Sequence, residues 1–350
     1  MSPRSIREQC RRQAGWCEQL GSPLYAHLLS CCAADYEVRG PLHDLLRPYE
    51  TDDEASVLPL RLMGAVHLLA LKGQASGLAK FYPSTGGTVD FDGAWREFRR
   101  TVREKSADIR RLIKNPVQTN EVGRCGSLLG GFGLIAERTH LPLRLLEIGT
   151  SAGLNLRWDH YRYEWPGGAW GDAASRVCIK DVFRSGTPSI PSRIAIRERA
   201  GCDTMPVNVN EESGRLTPLS CTWADQLDRI HRLKAAIEIA RVVPCKIERK
   251  HAADWLEVRL RKPPEGSATV VFQSALWQYL SERERRRVIS LIETAGERAS
   301  EAVPVAWLRL EAVKDRFQLR LRIYPGFKEQ IIATSRPHAP SVRWLLKGKR

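Results

Sequence analysis

An apolar run followed by a glycine-rich turn, PLRLLEIGTSAGLNLRW, constrains the fold of this chain more than any other segment. The apolar residues around Glu147 predict a buried strand, and the small residues from Gly149 to Gly153 predict a tight turn into a helix. Such residues let the backbone turn sharply and let a ligand lie against exposed amides at the positive end of the helix. The segment therefore predicts a binding site at the end of a strand.

The residues on the two sides of this turn follow different patterns. Across residues 5–114 the apolar side chains recur at helical spacing, and no strand is predicted there. After Leu141, short β-rich runs alternate with helical stretches, which is typical of a parallel sheet with crossover helices. The sequence predicts an α-helical domain over residues 1–135 and a Rossmann-like α/β domain over residues 136–350.

The predicted strands share short length and β-branched or apolar composition; they cover residues 144–148, 193–197, 219–223, 245–249, 269–273 and 305–310. Helices are predicted over residues 225–241 and 281–295. Residues 316–323 alternate strictly, Pro325 and Gly326 predict a turn, and residues 342–346 are expected to return as an antiparallel partner. The sheet is thus expected to be mostly parallel, with an antiparallel C-terminal hairpin.

Composition and charge disfavour several classes of function for this protein. The net charge is +15, but the densest basic run, ERERRR, alternates with acids as a solvated helix face does, so a nucleic-acid partner is not favoured. The nine cysteines include no C-x-x-C pair, and no metal site is predicted. No stretch resembles a membrane span or a secretory signal, so a cytoplasmic protein without a membrane partner is expected. Nothing in the composition indicates an oligomeric state.

Two classes of enzyme use a turn of this kind. The pattern Glu147-x-Gly149-x-Ser151-x-Gly153 resembles the E/D-x-G-x-G-x-G loop of class I S-adenosylmethionine-dependent methyltransferases, with serine replacing the middle glycine. That resemblance implies a domain that binds S-adenosylmethionine through this loop. The same residues also match the G-x-S-x-G nucleophile elbow of α/β-hydrolases, with Ser151 as nucleophile and a later acid and His338 completing a triad.

The context of the turn favours the methyltransferase interpretation. The residues before Arg144 are helical, whereas a hydrolase elbow normally follows several strands and an oxyanion-hole turn. A first strand at this position fits a nucleotide-binding sheet. A dinucleotide dehydrogenase would need glycine where Ser151 stands. The remaining alternative is a turn that only packs a helix on a sheet and binds nothing. It is disfavoured because an acid at the strand end is costly to bury without a ligand or partner.

Later residues resemble the remaining methyltransferase motifs in chain order. In that family an acid after the second strand accepts hydrogen bonds from the ribose hydroxyls; Glu198 and Asp203 both fit, and Asp203 is preferred. Asp254 resembles the acid that contacts the adenine amino group, and it suits a helix start equally well. Ser274, within TVVFQSALWQYL, resembles a turn that lines the transfer site. The cofactor-binding residues that the resemblance implies are Glu147, Gly149, Thr150, Ser151, Gly153, Asn155, Asp203, Asp254 and Ser274.

Four strings, QTNEVGR, EIGTSAGLNLRWDHYRY, GCDTMPV and TVVFQSALWQYL, resemble the bacterial family catalogued as domain of unknown function 2332. The resemblance covers nearly the whole chain. It implies a Rossmann-like domain behind a helical segment and brings no established reaction with it. A histidine commonly occupies the position of Gln273 in that family's pattern, so no acid-base role is assigned to this position.

An aromatic and charged insertion over residues 158–172 follows the turn. It is interpreted as a wall of the substrate pocket, with Asp159 or Tyr161 facing the ligand, or else as an ordered surface loop. Asp159 and His338 are candidate bases for an acceptor that must lose a proton. The polar cluster at residues 118–124 either closes over the cofactor or caps helices.

The function expected is methyl transfer from S-adenosylmethionine to a small-molecule acceptor. The alternatives are a serine hydrolase that uses Ser151 and a basic nucleic-acid-binding protein without catalysis. His43 and His67 lie among apolar residues and are interpreted as packed or surface histidines.

Overall fold

The computed structural model describes residues 5–338 and 341–346, which divide into two compact units. The first unit contains the described residues up to Thr119 together with Asn210–Lys234, and the second contains Asn120–Val209 and the described residues from Ala235 onward. The division therefore falls at residue 119 rather than 135. Asn210–Lys234 belongs to the first unit because Trp223 and Ala224 are buried in its core.

The helices, numbered in chain order, are α1 (Ile6–Gln19), α2 (Pro23–Glu37), α3 (Pro41–Leu46), α4 (Leu58–Leu71), α5 (Ser76–Ala79), α6 (Phe91–Glu104), α7 (Ser106–Ile113), α8 (Cys125–Thr139), α9 (Glu212–Ser220), α10 (Leu227–Val242), α11 (Ala252–Arg259) and α12 (Glu282–Glu297). Helices α1 to α7 and α9 form the first unit with the start of α10. No strand occurs among the described residues of this unit, as its helical spacing predicts. Its core is apolar; central members are Leu24, Leu28, Leu62, Val66, Phe98 and Ile109.

One stretch of the first unit, Glu54–Leu71, is long and apolar enough by composition to span a membrane, with a mean hydropathy of 1.4. Half of that stretch is buried inside the protein. Val57 interrupts it with a left-handed φ of 47°, so the continuous helix α4 has only 14 residues. A bilayer-spanning helix needs about 20 residues, and the core positions of α4 account for its apolar composition.

The second unit is built on a nine-stranded sheet. The strands are β1 (Leu143–Ile148), β2 (Arg162–Trp165), β3 (Gly168–Trp170), β4 (Cys178–Ile179), β5 (Phe183–Ser185), β6 (Ile196–Asp203), β7 (Lys246–Arg249), β8 (Ala268–Ser274), β9 (Val305–Val313), β10 (Arg316–Tyr324), β11 (Phe327–Ser335) and β12 (Val342–Trp344). The order is β5-β12-β11-β10-β9-β8-β1-β6-β7, and β3-β2-β4 form a separate small sheet. Strands β7, β6, β1, β8 and β9 are mutually parallel, whereas β10 and β11 are antiparallel to their neighbours.

Helices cover both faces of the sheet, and for that reason every residue of β1 is buried. Helices α11 and α12 pack on one face, where Leu146 and Trp255 share a core. On the other face, α8 places Phe132 against Trp158 and the edge of Phe272, with ring centroids 4.5 and 5.2 Å apart. Helix α8 is thus part of the α/β unit, whereas the predicted boundary at residue 135 puts most of it in the helical domain.

Most of the predicted strands are present, but β2 to β5 were not predicted, and three further segments differ. Residues 219–223 are not a strand: they end α9 and enter a turn, where the hydroxyls of Ser220 and Thr222 donate to the carbonyls of Thr217 and Pro218. The predicted strand 193–197 starts later, at Ile196. Strand β11 was not predicted; it pairs with β10, and β12 pairs with β11 rather than with β10.

Candidate functional site

The candidate site lies at the carboxyl ends of β1, β6 and β8. From β1 the chain continues to β6 and β7 on one side of the sheet, then to β8 and β9 on the other. The strand order therefore reverses between β1 and β8. In open parallel sheets ligands bind outside the carboxyl ends of the strands at such a switch point.

The glycine turn after β1 is attached to the end of β6. The N–H groups of Gly149 and Thr150 both donate to the carbonyl of Cys202, at 2.9 and 3.1 Å. The N–H of Ser151 donates to Asp203 Oδ2 at 2.9 Å. These bonds hold the turn against the neighbouring strand.

Two further N–H groups of the turn also have acceptors within the protein. The N–H of Gly153 donates to the Thr150 carbonyl at 2.8 Å, and that of Leu154 donates to Asn120 Oδ1 at 2.9 Å. The segment that follows, Asn155–His160, is 3-10 helical with a kink at Arg157, rather than an α-helix. The expectation that a ligand lies on exposed amides at a helix N-terminus is therefore wrong for these amides, because the protein already pairs them.

Positive φ angles explain the small residues of the turn. Gly149 and Gly153 have φ values of 69° and 68°. A Cβ at Gly149 would lie 2.5 Å from the side chain of Leu276, which follows β8. Gly149 is therefore needed both for the turn and for its close approach to the end of β8.

Glu147 lies inside this arrangement rather than on its surface. Its side chain is 2% exposed, its Oε2 accepts the Thr150 hydroxyl, and the Asn155 side chain also hydrogen-bonds to it. Burial raises the pKa of Glu147 to about 8. The acid is therefore mostly protonated at neutral pH and serves as an internal anchor of the turn.

Asp203 is the acid at the surface of the site. It ends β6, is half-buried, and accepts the N–H groups of Ser151 and Met205 at 2.9 and 2.8 Å. A carboxylate has about four lone-pair sites, so Asp203 can accept further hydrogen bonds. The other candidate acid, Glu198, lies towards the opposite end of β6 and pairs with Arg144.

Ser151 is the most unusual residue of the turn. It has a φ of 52°, which is rare for a residue other than glycine, and it is 6% exposed. Its Oγ has no hydrogen-bond partner among the described residues. A buried hydroxyl without a partner costs stability and commonly marks a functional position.

A second turn, after β8, meets the glycine turn at Leu276. Ala275 has a left-handed φ of 55°. Oε1 of Glu311, on β9, accepts the N–H groups of Leu276 and Trp277, both at 3.2 Å. Arg124 reaches the carbonyl of Ser274 at 3.4 Å. Burial raises the pKa of Glu311. The hydrogen bonds that Glu311 accepts hold this turn in place.

Sequence reasoning missed two residues that position the site. Glu311 carried no signal beyond being an acid in a strand. Arg157 is 4% exposed, and its guanidinium donates to the carbonyls of Gly153, Ala240 and Val243 at 2.7, 3.2 and 3.0 Å. The polar cluster at residues 118–124 was the one available signal for Asn120, whose side chain does reach the turn.

Three predicted site residues lie elsewhere or contact other groups. Asp159 pairs with Arg199, which is level with Leu145, about 7 Å before Glu147 along the strand. Asp254 is exposed on α11, 2.9 Å from Arg287 on α12. His338 is half-buried and follows Pro337, whose carbonyl accepts from Arg124 at 3.4 Å.

The aromatic insertion is a structural element. Tyr161 is fully buried and donates its hydroxyl to the Leu154 carbonyl at 2.7 Å, so it does not face a ligand. Trp158 is likewise buried and stacks on Trp170, with ring centroids 5.3 Å apart. Across the described residues, no three His, Cys, Asp or Glu side chains are grouped so as to hold a metal ion.

The chain was compared with protein families, curated proteins and solved structures. The family model described as "Uncharacterized protein conserved in bacteria (DUF2332)" matches residues 7–344. No curated protein and no solved structure matches the chain. The family match spans nearly the whole length, in agreement with the four strings noted in the sequence. The chain therefore belongs to the bacterial family DUF2332.

Proposed function

We propose that this protein is an S-adenosylmethionine-dependent methyltransferase that acts on a small-molecule acceptor. The observation that carries the proposal is the position of Asp203. Its half-buried carboxylate lies at the end of β6, beside the glycine turn of β1, with acceptor capacity left. A carboxylate in this position can accept the two hydroxyls of a ribose.

The hydrogen bonds of the turn favour a nucleoside ligand without phosphates. Phosphate-binding turns present backbone N–H groups to the ligand. Here the N–H groups of Gly149, Thr150, Ser151 and Gly153 already have protein acceptors. With these four N–H groups paired, we infer that recognition relies mainly on side chains, and Asp203 and the unpartnered hydroxyl of Ser151 are available for it. This supports an adenosyl ligand over a dinucleotide.

The architecture supports the same proposal. Strands β7, β6, β1, β8 and β9 have the parallel order that Rossmann-like nucleotide-binding sheets share, and antiparallel strands extend the sheet beyond β9. S-adenosylmethionine supplies a methyl group already activated on a sulfonium. The residues of the chain have only to hold the ribose, keep the turn rigid and align an acceptor at the β8 turn.

Asp203→Asn is expected to weaken binding of S-adenosylhomocysteine by about 10- to 100-fold, because hydrogen bonds to a charged acceptor contribute about 1.5–3 kcal/mol. Calorimetric titration of the full-length protein measures this. Asp108→Asn is the matched control, since Asp108 lies on α7 of the first unit, with its side chain 40% exposed and 2.8 Å from Arg111. It should change the affinity by no more than about twofold. Absence of binding by the wild-type protein would overturn the proposed function.

A serine hydrolase is the second candidate, and the left-handed, unpartnered Ser151 favours it. Against it, no histidine among the described residues is hydrogen-bonded to the Ser151 hydroxyl. Under methyl transfer, Ser151→Ala should reduce cofactor affinity several-fold, roughly the effect of one neutral hydrogen bond. Loss of all esterase activity in that variant, with cofactor binding absent throughout, would favour the hydrolase.

A further inference from the structure

The first unit contains a serine and a histidine in direct contact, in a segment that the sequence identifies only as a break between helices. Ser84 lies in the 3-10 helix Pro83–Thr85 and is half-buried. His67 lies on α4 and is fully buried. The Ser84 Oγ and His67 Nε2 atoms are 2.8 Å apart.

The second nitrogen of the imidazole fixes the direction of this hydrogen bond. His67 Nδ1 lies 3.1 Å from the carbonyl oxygen of Ser220 and 3.3 Å from the Tyr25 hydroxyl, whose oxygen can accept as well as donate. A carbonyl only accepts, so Nδ1 carries the ring proton and Nε2 has the free lone pair. The Ser84 hydroxyl therefore donates to Nε2. A nucleophile, a base and a group that orients the base are the three parts of an activated serine.

The surroundings keep the pair in this state. Burial lowers the pKa of His67 to about 4, so the imidazole is neutral at physiological pH and Nε2 keeps the lone pair that accepts the Ser84 hydroxyl. The Ser84 N–H donates to the Ala224 carbonyl at 2.9 Å, which holds the backbone of the serine in place. The ring edge of Tyr82 packs on the imidazole, with centroids 5.5 Å apart. Both residues are thus held in reacting geometry.

We propose that Ser84 is a nucleophile activated by His67, and that it reacts with acyl esters and with their phosphonate analogues. With a fluorophosphonate, a bond forms between Ser84 Oγ and phosphorus, the phosphorus–fluorine bond breaks, and fluoride leaves. The hydroxyl proton passes to His67 Nε2 and from there to solvent. Ser151, the serine within the G-x-S-x-G pattern, has no such base among its described neighbours. The inference does not depend on methyl transfer, because Ser84 and Ser151 lie in different units.

The test is labelling of the full-length protein with a fluorophosphonate probe, with the modified residue located by peptide mass spectrometry. We expect one label on Ser84 in the wild type. Ser84→Ala should lose it, and Ser151→Ala should keep it. Ser30→Ala is the matched control, because Ser30 is an exposed serine that donates to its own helix at the Ala26 carbonyl. This variant should label at the wild-type rate.

His67→Gln should slow labelling by at least about 100-fold, the contribution of a general base. A thermal melt of each variant shows whether it is folded. If His67→Gln unfolds, the rate of wild-type Ser84 labelling relative to free serine decides, because an unactivated hydroxyl would show no enhancement. An unlabelled wild-type protein, a label on Ser151, or equal labelling of Ser84→Ala and wild type would overturn the proposal.

Discussion

Glu147→Gln is expected to be more stable than the wild-type protein at pH 9, by about 5 kcal/mol. The pKa of Glu147 is raised from 4.5 to about 8 by burial. Between these values the folded state keeps a proton that the unfolded state releases. Wild-type stability therefore falls as the pH rises through this window. Glutamine has the shape of the protonated acid and does not ionise, so the variant lacks this loss.

Urea unfolding at pH 4, 7 and 9 measures the difference, with the buffer and ionic strength held constant. At pH 4 the two proteins should have similar midpoints, because Glu147 of the wild type is then mostly protonated in both its folded and its unfolded state. Glu257→Gln is the control, since Glu257 is exposed on α11 and lies 3.5 Å from Arg287. A pH dependence of Glu147→Gln identical to that of the wild type would mean that the acid is not buried as described.

This prediction depends on a role for Glu147 that the sequence did not reveal. An acid at the end of the first strand, before a glycine turn, was expected to contact a cofactor. The structure instead places it beneath the turn, bonded to Thr150 and Asn155. The sequence places the acid close to the turn, but the direction of its side chain is decided by the neighbouring strands and by the packing on that face of the sheet.

Residues close together in the chain were predicted well, because strand, turn and glycines signal their roles locally. Strand β1 and the turn agree with expectation for this reason. Residues brought together by tertiary structure were not predictable. Glu311 reaches the site from β9, and Asp159, although adjacent in sequence, lies beside Arg199. Because Asp159 is close to the turn in sequence, it was predicted to lie in the site, where the structure does not place it. Glu311 is distant in sequence, so nothing in the sequence indicated its role.

The domain boundary likewise depends on tertiary contacts that the sequence does not reveal. A helical pattern marks α8 as a helix but does not say which core it joins, and its packing against the sheet decides that. Residues 219–223 combine apolar and β-branched side chains, which suits a strand, yet Trp223 is buried in a helical core. Strand β11 was missed because Lys328, Glu329 and Gln330 are exposed and break the alternation. Tertiary contacts override local propensity in each case.

Arg157→Met is expected to lower the free energy of unfolding by about 3 kcal/mol, because it leaves buried carbonyls without a donor. The guanidinium is 4% exposed and joins the glycine turn to the end of α10 through the carbonyls of Gly153, Ala240 and Val243. A cation at the carboxyl end of a helix also stabilises the helix dipole. Methionine fills similar volume but donates no hydrogen bond, so the loss is electrostatic rather than a cavity.

Urea unfolding at pH 7 measures this loss, and titration with S-adenosylhomocysteine tests its effect on the turn. Arg241→Met is the matched control: Arg241 lies on α10, with its side chain 44% exposed and 2.9 Å from Glu238. A surface pair of this kind contributes about 0–1 kcal/mol, so the control should be nearly neutral. Because the Gly153 carbonyl loses its donor only in Arg157→Met, this variant should also bind the ligand more weakly. Equal stability of the two variants would show that Arg157 does not hold the turn.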